Sequence, residues 1–423
     1  MPDIKDVKVE AQGESGIEKN YQLESGEIRD IGAQLFAEVD QISPEELERE
    51  GTEVRRILDR RVMPIIYLTY CIQFLDKLSL NYASAYTLIL DLGLEGQRYS
   101  WVAAIYNFGY LAFAIPSNLL LQRLPLAKYM GGSLLIWSGM SFTAMFYKRS
   151  EQPLRMAIWL SANGTATMVG ALLGFGLGHV HNTSLESWKL IFLVIGLLNF
   201  ATHHCGPARL QKHGVKTKQF KFRQALELVY DIKVLCILGM GISCGVINGG
   251  VSNFASSLIR GYGFSGIYAT LLQLPTGALE AVVVPICGLV PTYIRNSRCI
   301  VLAVVSLIPF GGLLGIHFTD ISHPWTLVGC TWLQYIIGGP VIISWNLLST
   351  NIAGHTKRSI ANGLWFTLYA GGNVAGSNIF FANEAPRYHS ALTGLLICYT
   401  GMIVLSGIAY VVMKIENVGG IER

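Results

Sequence analysis

An acid and a base stand next to each other inside a long apolar stretch near the start of the chain. Asp76 and Lys77 lie within residues 60–81, which are otherwise long and apolar enough to cross a membrane. A charge near the middle of a spanning helix costs about 2.5–3.5 kcal/mol, so such groups normally face a bundle interior or a wet cavity. The pair therefore indicates a polar interior among membrane helices.

Polar side chains of this stretch share one helical face, because steps of three, four and four residues separate Tyr70, Gln73, Lys77 and Asn81. A polar stripe on an apolar helix predicts the wall of a solute pathway. Lys77 is the candidate anion anchor, since a lysine ammonium is a point charge on a flexible stem that suits a carboxylate. The alternative is that Lys77 pairs with a neighbouring acid, such as Asp76, and only orients the helix.

Two carboxylates inside apolar spans, Asp76 and Glu280, are the candidate proton carriers. Glu280 lies in the middle of a span, within the sequence LPTGALEA at 274–281. A carboxyl group held away from water is suited to bind and release a proton during a transport cycle. The alternative for Glu280 is a structural hydrogen bond to a neighbouring helix.

A later apolar span, residues 361–381, carries a second polar face. Amides beside aromatic rings suit a small planar or hydrogen-bonding solute. The residues that share this face are Asn362, Trp365, Tyr369 and Asn373. Further candidates for the same cavity, in two other spans, are Asn107, Tyr110, Asn248 and Asn253. Each amide has an alternative role as an interhelical hydrogen bond.

The composition is that of a membrane protein with many spans. The chain has 423 residues, of which 51% are hydrophobic and only 14% charged, and its mean hydropathy is +0.42. Soluble domains carry about 25% charged residues. The eight cysteines are scattered without a CxxC motif, so neither a disulfide framework nor a metal site is expected. Nucleic-acid, phosphate-loop and hydrolase motifs are not found, and no cofactor is expected.

Apolar runs of membrane-span length recur through the chain, and we count about eleven. They lie near residues 62–84, 100–121, 129–147, 156–180, 188–204, 232–254, 268–290, 300–318, 327–348, 361–381 and 392–412. Since the first run starts near residue 62, we expect no N-terminal signal peptide. The predicted parts are an acidic tail (1–57), a front half (58–204), a basic loop (205–231), a back half (232–414) and a short tail (415–423).

Glycines suggest that the two halves are repeats. Gly170, Gly174 and Gly178 form a small-xxx-small face in the next-to-last span of the front half. Gly372 and Gly376 have the same spacing in the next-to-last span of the back half. The alternative is that glycine is simply common in membrane helices.

The distribution of basic residues is inconsistent with eleven spans. Short cytosolic loops are rich in Lys and Arg, yet the loops with Arg123 and Lys128 and at 148–155 are both basic. A single predicted span, 129–147, separates them. With the N-terminal tail inside, the basic loop 205–231 would also fall outside. One loop is forced outside, or the segment is re-entrant, or a span is missing. Adding a span here would place every basic loop on the cytosolic side. We therefore expect that about one span has been lost from a twelve-span ancestor.

Several short motifs resemble the fungal allantoate permease family, an anion:cation symporter group of the major facilitator superfamily. They are FLDK at 74–77, QRYSW at 97–101, PSNLLLQRL at 116–124, YKRSEQPLR at 147–155, AGHTKR at 353–358 and NEAPRY at 383–388. The resemblance covers most of residues 58–415. It implies a two-bundle, alternating-access symporter for small organic anions, driven by protons.

The chain departs from that family where the basic loops conflict. After WSGM at 137–140, the family would finish span three and continue through span four, with an Arg-containing stretch near the anion site. Here FTAMF at 142–146 already resembles the end of span four. The region 199–211 is also short. A gene-model or splicing artefact and a decayed paralogue are both compatible with this pattern.

We therefore expect an all-helical membrane protein of major-facilitator type, with about eleven spans instead of twelve. Its expected partners are a small organic anion (a vitamin acid or ureide-like carboxylate), protons and the lipid bilayer, without nucleic acid. A monomer in the plasma membrane with both termini cytosolic is expected. The main alternative is an inactive or regulatory remnant, or an incomplete gene model. A membrane enzyme is disfavoured because no polar catalytic cluster is evident.

Overall fold

Helices make up the described part of the chain, as lipid requires when backbone polar groups must be satisfied within each segment. The structure is a computed structural model that describes residues 49, 52–53, 56–94, 96–123, 152–180, 186–205, 228, 230–294, 296–352, 355–385 and 387–419. Residues 52–423 form one unit. Most of the acidic tail, the whole 129–147 span and most of the basic loop lie outside the described residues.

Thirteen helices of six or more residues follow one another in the described ranges. They are α1 (Met63–Ser84), α2 (Arg98–Arg123), α3 (Gln152–Leu160), α4 (Ala162–Gly178), α5 (Ser187–Cys205), α6 (Ile232–Gly261), α7 (Gly266–Leu271), α8 (Leu274–Tyr293), α9 (Arg298–Phe318), α10 (Pro324–Leu333), α11 (Gly338–Asn351), α12 (His355–Asn378) and α13 (His389–Gly419). Shorter helical pieces are Leu58–Val62, Leu88–Asp91, Gln334–Ile337 and Ala382–Glu384.

Ten of the eleven predicted spans coincide with these helices, and the eleventh lies outside the described residues. Among the described residues, six stretches are long and apolar enough to cross a membrane by length and composition. They are Leu154–Gly178, Ile232–Gly261, Gly266–Tyr293, Arg298–Phe318, Pro324–Asn351 and His389–Glu416. Ser187–Leu198 is a shorter apolar stretch.

Two spans of the back half are interrupted, and a proline explains each interruption. Pro275 stands in the first turn of α8 and cannot donate to the carbonyl of Leu271, where α7 ends. Pro340 likewise cannot donate to Ile336, which lies in the 3-10 segment Gln334–Ile337 between α10 and α11. The breaks place a turn at Gln273 and a 3-10 segment at Gln334–Ile337, and the side chains of Gln273, Gln334 and Tyr335 are buried.

Side-chain contacts define the two ends of the bundle. At one end, the Arg155 guanidinium at the start of α3 lies 3.0 Å from the Asp59 carboxylate just before α1. At the other end, Arg260 Nη1 donates to the Ser84 carbonyl, at 3.3 Å, where α1 and α6 finish. The Tyr99 hydroxyl near the start of α2 donates to a carbonyl near the end of α6. We call these the Asp59 end and the Ser84 end.

The chain leaves α2 and enters α3 at the same end of the bundle. Since α2 starts at the Ser84 end and is 26 residues long, roughly 39 Å, it finishes at the Asp59 end. There α3 begins, beside Asp59. Residues 124–151 therefore join two points on one side. Two complete helical spans need about 40 residues, more than this segment has.

The ends of the described helices show which basic segments begin and finish at the Asp59 end. Trp188 Nε1 donates to Asp91 at 2.7 Å, so α5 starts at the Ser84 end and finishes at the Asp59 end. Lys357 of α12 lies 3.5 Å from Asp231, just before α6. The Asp59 end is thus where α2 and α3 flank residues 124–151, and where α5 and α6 flank the basic loop 205–231.

Glycines allow close crossings between helices, as the small-residue pattern predicts. Gly164 of α4 and Gly277 of α8 each lie against the other's backbone, where a side chain would collide. In the back half, Gly372 of α12 lies against Gly245 of α6 in the same way. On α4, Gly170 leaves room for the ring of Tyr82 from α1. In each half, the glycine-rich helix therefore packs on the first helix of that half.

Candidate functional site

Lys77 of α1 reaches from the front half to the back half. Its ammonium donates a hydrogen bond to Asn248 Oδ1 of α6 at 3.1 Å. The same ammonium lies 5.6 Å from the centre of the Phe74 ring, one turn earlier on α1, within the range of a cation–π interaction. Both side chains of the bonded pair are half-buried. The predicted anchor and one predicted cavity residue are thus in direct contact.

Glu280 of α8 is a buried carboxylate close to Lys77. Only 4% of its surface is exposed, and its Oε2 atom has no hydrogen-bond partner in the described part of the chain. The Asn163 side chain of α4 lies beside it, and the Lys77 charge acts on it electrostatically. No ion pair within 4 Å joins Lys77 and Glu280 among the described contacts, so each can respond to a third charged group.

Tyrosines from two helices, α1 and α12, and from the 3-10 segment lie near the Glu280 carboxylate. Those within its electrostatic reach are Tyr70, Tyr82, Tyr335 and Tyr369. Tyr70 also lies beside Asn163, which therefore stands between a phenol and a carboxylate. Within this group, Lys77 interacts electrostatically with Glu280.

Aromatic rings form a continuous series from α1 to α12. Tyr70 and Trp159 meet edge to face at 4.8 Å between ring centres, and Trp159 meets Trp345 at 6.2 Å. Trp345 and Trp365 are stacked at 5.6 Å, and Trp365 stacks on Tyr369 at 5.2 Å. The predicted pair of Trp365 and Tyr369 is therefore part of a larger wall.

Several buried polar atoms beside this wall lack partners in the described part of the chain. The acceptors are Asn163 Oδ1, Asn362 Oδ1 and Asn373 Oδ1, and the donors are Trp159 Nε1 and Trp365 Nε1. Buried polar groups are normally hydrogen-bonded, and an unpaired one calls for an explanation such as a ligand or a water. A bound polar solute would supply the missing partners.

The other predicted residues differ in their burial and in their contacts. Asn107 of α2 is buried, with 3% exposed, and Gln73 is half-buried. Asn253 donates to Ser377 Oγ at 2.9 Å and so joins α6 to α12. Only the backbone of Tyr110, in α2, is among the described atoms.

Asp76 lies apart from this cluster. Its side chain is exposed, because adjacent residues on a helix point about 100° apart. The structure thus brings Lys77 together with Glu280, and not with Asp76. Trp159 and Trp345 are the residues that sequence reasoning missed, although a tryptophan inside a span was a usable signal.

Two small clefts lie elsewhere in the back half. One is lined by Tyr262, Arg387 and His389, and the other by Cys287, Arg298 and Asn346. Each has a volume of about 10 Å³, which is enough for roughly one water molecule. Lys77, Asn248 and Glu280 are not among the residues that line these two clefts.

Comparison with known proteins decides what kind of protein carries this site. Residues 130–377, more than half of the chain, match the family described as Major Facilitator Superfamily. The chain belongs to the major facilitator superfamily. It is therefore an integral membrane protein from a family of secondary transporters that carry small molecules, and the predicted all-helical fold of this type is confirmed.

Fungal transporters are similar along most of the chain. An uncharacterized transporter of Schizosaccharomyces pombe is 32% identical, over 89% of this chain and 82% of that protein. The allantoate permease of Saccharomyces cerevisiae is 27% identical, over 89% of this chain and 81% of its own. The thiamine pathway transporter of the same yeast is 25% identical, over 86% and 80%. The predicted resemblance to the fungal allantoate permease family is confirmed.

A solved structure shows the same fold. The crystal structure of the E. coli fucose:proton symporter matches 82% of this chain and 99% of its own, with a TM-score of 0.53 and 14% identity. That identity supports the fold alone.

The fungal relatives contain segments that this superfamily member lacks. The alignment with the Schizosaccharomyces pombe transporter extends over 438 positions, more than the 423 residues of the chain, although it uses only 89% of them. The alignment with the allantoate permease extends over 449 positions.

Proposed function

We propose that the protein is a proton-coupled secondary transporter of a small organic anion that works by alternating access. Lys77 binds the anionic group of the substrate, and Glu280 carries the proton. The substrate class is a small carboxylate, such as a vitamin acid or a ureide-like acid. The Asp59 end faces the cytosol, because the basic loops meet there, and the protein acts as a monomer in the plasma membrane.

One observation carries this proposal: the Lys77 ammonium bonds to the neutral amide of Asn248, while the buried Glu280 carboxylate lies nearby without a direct ion pair. A neutral acceptor holds the ammonium more weakly than a carboxylate would, because charge-assisted hydrogen bonds are about twice as strong as neutral ones. An incoming carboxylate can therefore replace Asn248. A proton on Glu280 would then balance the charge of the bound anion.

The aromatic wall supports a flat or partly apolar substrate body. Trp365 and Tyr369 present parallel rings next to unpartnered polar atoms of Asn362 and Asn373. Ligand sites typically combine such apolar surface with a few polar groups that fix orientation. The names of the fungal relatives support transport of small molecules. The substrate class of this chain is part of the proposal.

Transport by the purified protein in proteoliposomes tests the function. With an acidic exterior, we expect accumulation of radiolabelled allantoate or nicotinate, which collapses when a protonophore is added. Lys77→Ala should abolish uptake, and Lys77→Arg should retain a part of it. The matched control is Lys189→Ala, which removes a half-exposed lysine at the start of α5. Full uptake by Lys77→Ala would rule out the anchor role.

A second candidate function, a transporter remnant with a regulatory role or none, is favoured by the length difference from the relatives. The alignments show that the relatives have residues for which this chain has no counterpart. If the genomic sequence between the codons for Met140 and Phe142 encodes an in-frame apolar stretch of about 20 residues, the shorter chain is an incomplete gene product. The remnant hypothesis would be favoured if the chain with the restored span transports the anion and the shorter chain does not.

A further inference from the structure

Asn81, Ser256 and Gln273 form a closed ring of hydrogen bonds at the Ser84 end, which we call the latch. Asn81 Nδ2 donates to Gln273 Oε1 at 2.9 Å, and Gln273 Nε2 donates to Ser256 Oγ at 2.5 Å. The Ser256 backbone N–H donates back to Asn81 Oδ1 at 3.2 Å. All three residues have at most 1% of their surface exposed.

The latch joins the front half to the back half. Asn81 belongs to α1, Ser256 to α6, and Gln273 to the break between α7 and α8. Asn81 lies one turn beyond Lys77 on the same face of α1, on the way from the proposed anion site to the Ser84 end. A solute that enters or leaves at this end between the two halves would pass between the helices that the latch holds together.

The second helix break is attached to the first. The Tyr335 hydroxyl, in the 3-10 segment, donates to Gln273 Oε1 at 3.4 Å, and Trp332 Nε1 donates to the Leu272 carbonyl at 2.7 Å. Gly338 follows the 3-10 segment, and a side chain added there would lie 2.9 Å from Glu280 Oε1. Gln273 is thus the point where α1, α6 and both broken spans meet.

We propose that the latch is the gate of the Ser84 end, and that Gln273 is its positioning residue. This inference rests on the proposed function, since a gate requires alternating access. Opening the gate separates Asn81 from Gln273 and Ser256, and water then takes the places of the lost partners. Side-chain amides suit this role, because buried amides hold the closed state with directed bonds and are well solvated in the open state.

Cysteine labelling tests the gate without any need for a substrate. Ser252 lies on α6 between Asn248 and Ser256, one turn from each, and is 3% exposed. Its hydroxyl bonds within its own helix, so Ser252→Cys is a mild change. A membrane-impermeant maleimide applied at the Ser84 side reports whether water reaches this position past the latch.

Removing the latch should make Cys at this position accessible. In a protein that also carries Ser252→Cys, we expect Gln273→Leu to raise the rate of maleimide labelling at least tenfold. Tyr335→Phe should raise it by a smaller factor, because it removes only the 3.4 Å bond and keeps the shape of the side chain. The matched control is Asn378→Leu, which replaces a half-buried amide near the Ser84 end whose Nδ2 donates to Val374 O of its own helix.

The outcomes separate the gate from the proposed function. The gate proposal is overturned if the Gln273→Leu and Tyr335→Phe proteins are labelled at the same rate as the control. This conclusion holds whether or not the protein transports. If Gln273→Leu fails to fold, Tyr335→Phe alone decides by the same comparison. Absence of uptake by the parent protein, together with faster labelling in the latch variants, would overturn the proposed substrate class and support the gate.

Discussion

The Lys77 ammonium and the Asn248 side-chain oxygen lie 3.1 Å apart, although 171 residues separate them in the sequence. This bond connects the first helix of the front half with the first helix of the back half. An amide at position 248 carries no charge of its own, so this contact does not neutralise Lys77.

The first prediction concerns this neutral acceptor. In Asn248→Asp, a fixed carboxylate should compete with the substrate for Lys77. A hydrogen bond to a charged group contributes about 1.5–3 kcal/mol, so we expect KM for anion uptake to rise about tenfold or more. Initial rates of uptake over a range of anion concentrations measure this change. A KM equal to that of the parent would show that Lys77 does not bind the substrate.

The second prediction compares the two candidate proton carriers. Glu280→Gln should stop proton-driven accumulation while exchange of labelled for unlabelled substrate continues, because exchange needs no net proton movement. Asp76→Asn should leave accumulation close to that of the parent, since the Asp76 side chain is exposed away from the cluster. Accumulation and counterflow in the same proteoliposomes provide both measurements. The assignment fails if the two variants behave in the opposite way.

The third prediction concerns the close crossing of α4 and α8. In Gly277→Ala, the added methyl group would meet Met168 Cγ at 2.8 Å and the Met168 backbone N at 2.9 Å. Overpacking of this kind costs about 1–3 kcal/mol, so the Tm in detergent should fall by several degrees. Gly176→Ala is the control, because its added methyl group meets nothing within 4 Å. Equal Tm values for the two variants would contradict the crossing.

The fourth prediction concerns the sidedness of the loops around residues 124–151. Short epitope tags inserted after residue 125 and after residue 150 should both be accessible from the Asp59 side, because α2 finishes and α3 begins there. Selective permeabilisation of the plasma membrane, followed by antibody binding, measures this. A tag at the basic loop 205–231 is the internal reference. Opposite sidedness of the two tags would disprove the inferred directions of α2 and α3.

The fifth prediction concerns the connection between α12 and α13. The hydroxyl and the backbone N–H of Ser390 donate to the Glu384 carboxylate at 2.5 and 2.8 Å, which lowers the pKa of Glu384 from its ordinary 4.5. A carboxyl group with a lowered pKa stabilises the fold above its ordinary pKa, and this contribution is lost as the pH falls through the lowered value.

Thermal unfolding measured over a pH series tests the direction of this pH dependence. The Tm of the parent should exceed that of Glu384→Gln at neutral pH, and the difference should shrink as the pH falls below about 4.5. Ser390→Ala should reduce the same difference, since it removes one of the two donors. A difference that grows on acidification would reverse the assignment.

The polar stripe on α1 shows how much of the site the sequence contains. Helical spacing placed Tyr70, Lys77 and Asn81 on one face, and the structure shows all three in interhelical contacts. The same spacing separates Asp76 from Lys77. Local periodicity was therefore sufficient for the members of the face, but adjacency in sequence was a poor guide to partnership.

Partners on distant helices could not be predicted in the same way. Gln273 bonds to Asn81 across 192 positions of sequence, and its place depends on a helix break that the apolar run 268–290 conceals. Trp159 and Trp345 entered the aromatic wall through the packing of α3 against α11. A single sequence contains no information about such pairings beyond the suitability of each residue type.

Helix α2 finishes and helix α3 begins at the same end of the bundle. This arrangement affects how the chain tolerates a change in length between them. A segment that starts and finishes on one side contributes an even number of crossings. Adding or removing an even number of membrane crossings leaves the direction of every later helix unchanged. The crossings of α4 with α8 and of α6 with α12 are thus compatible with front halves of different length.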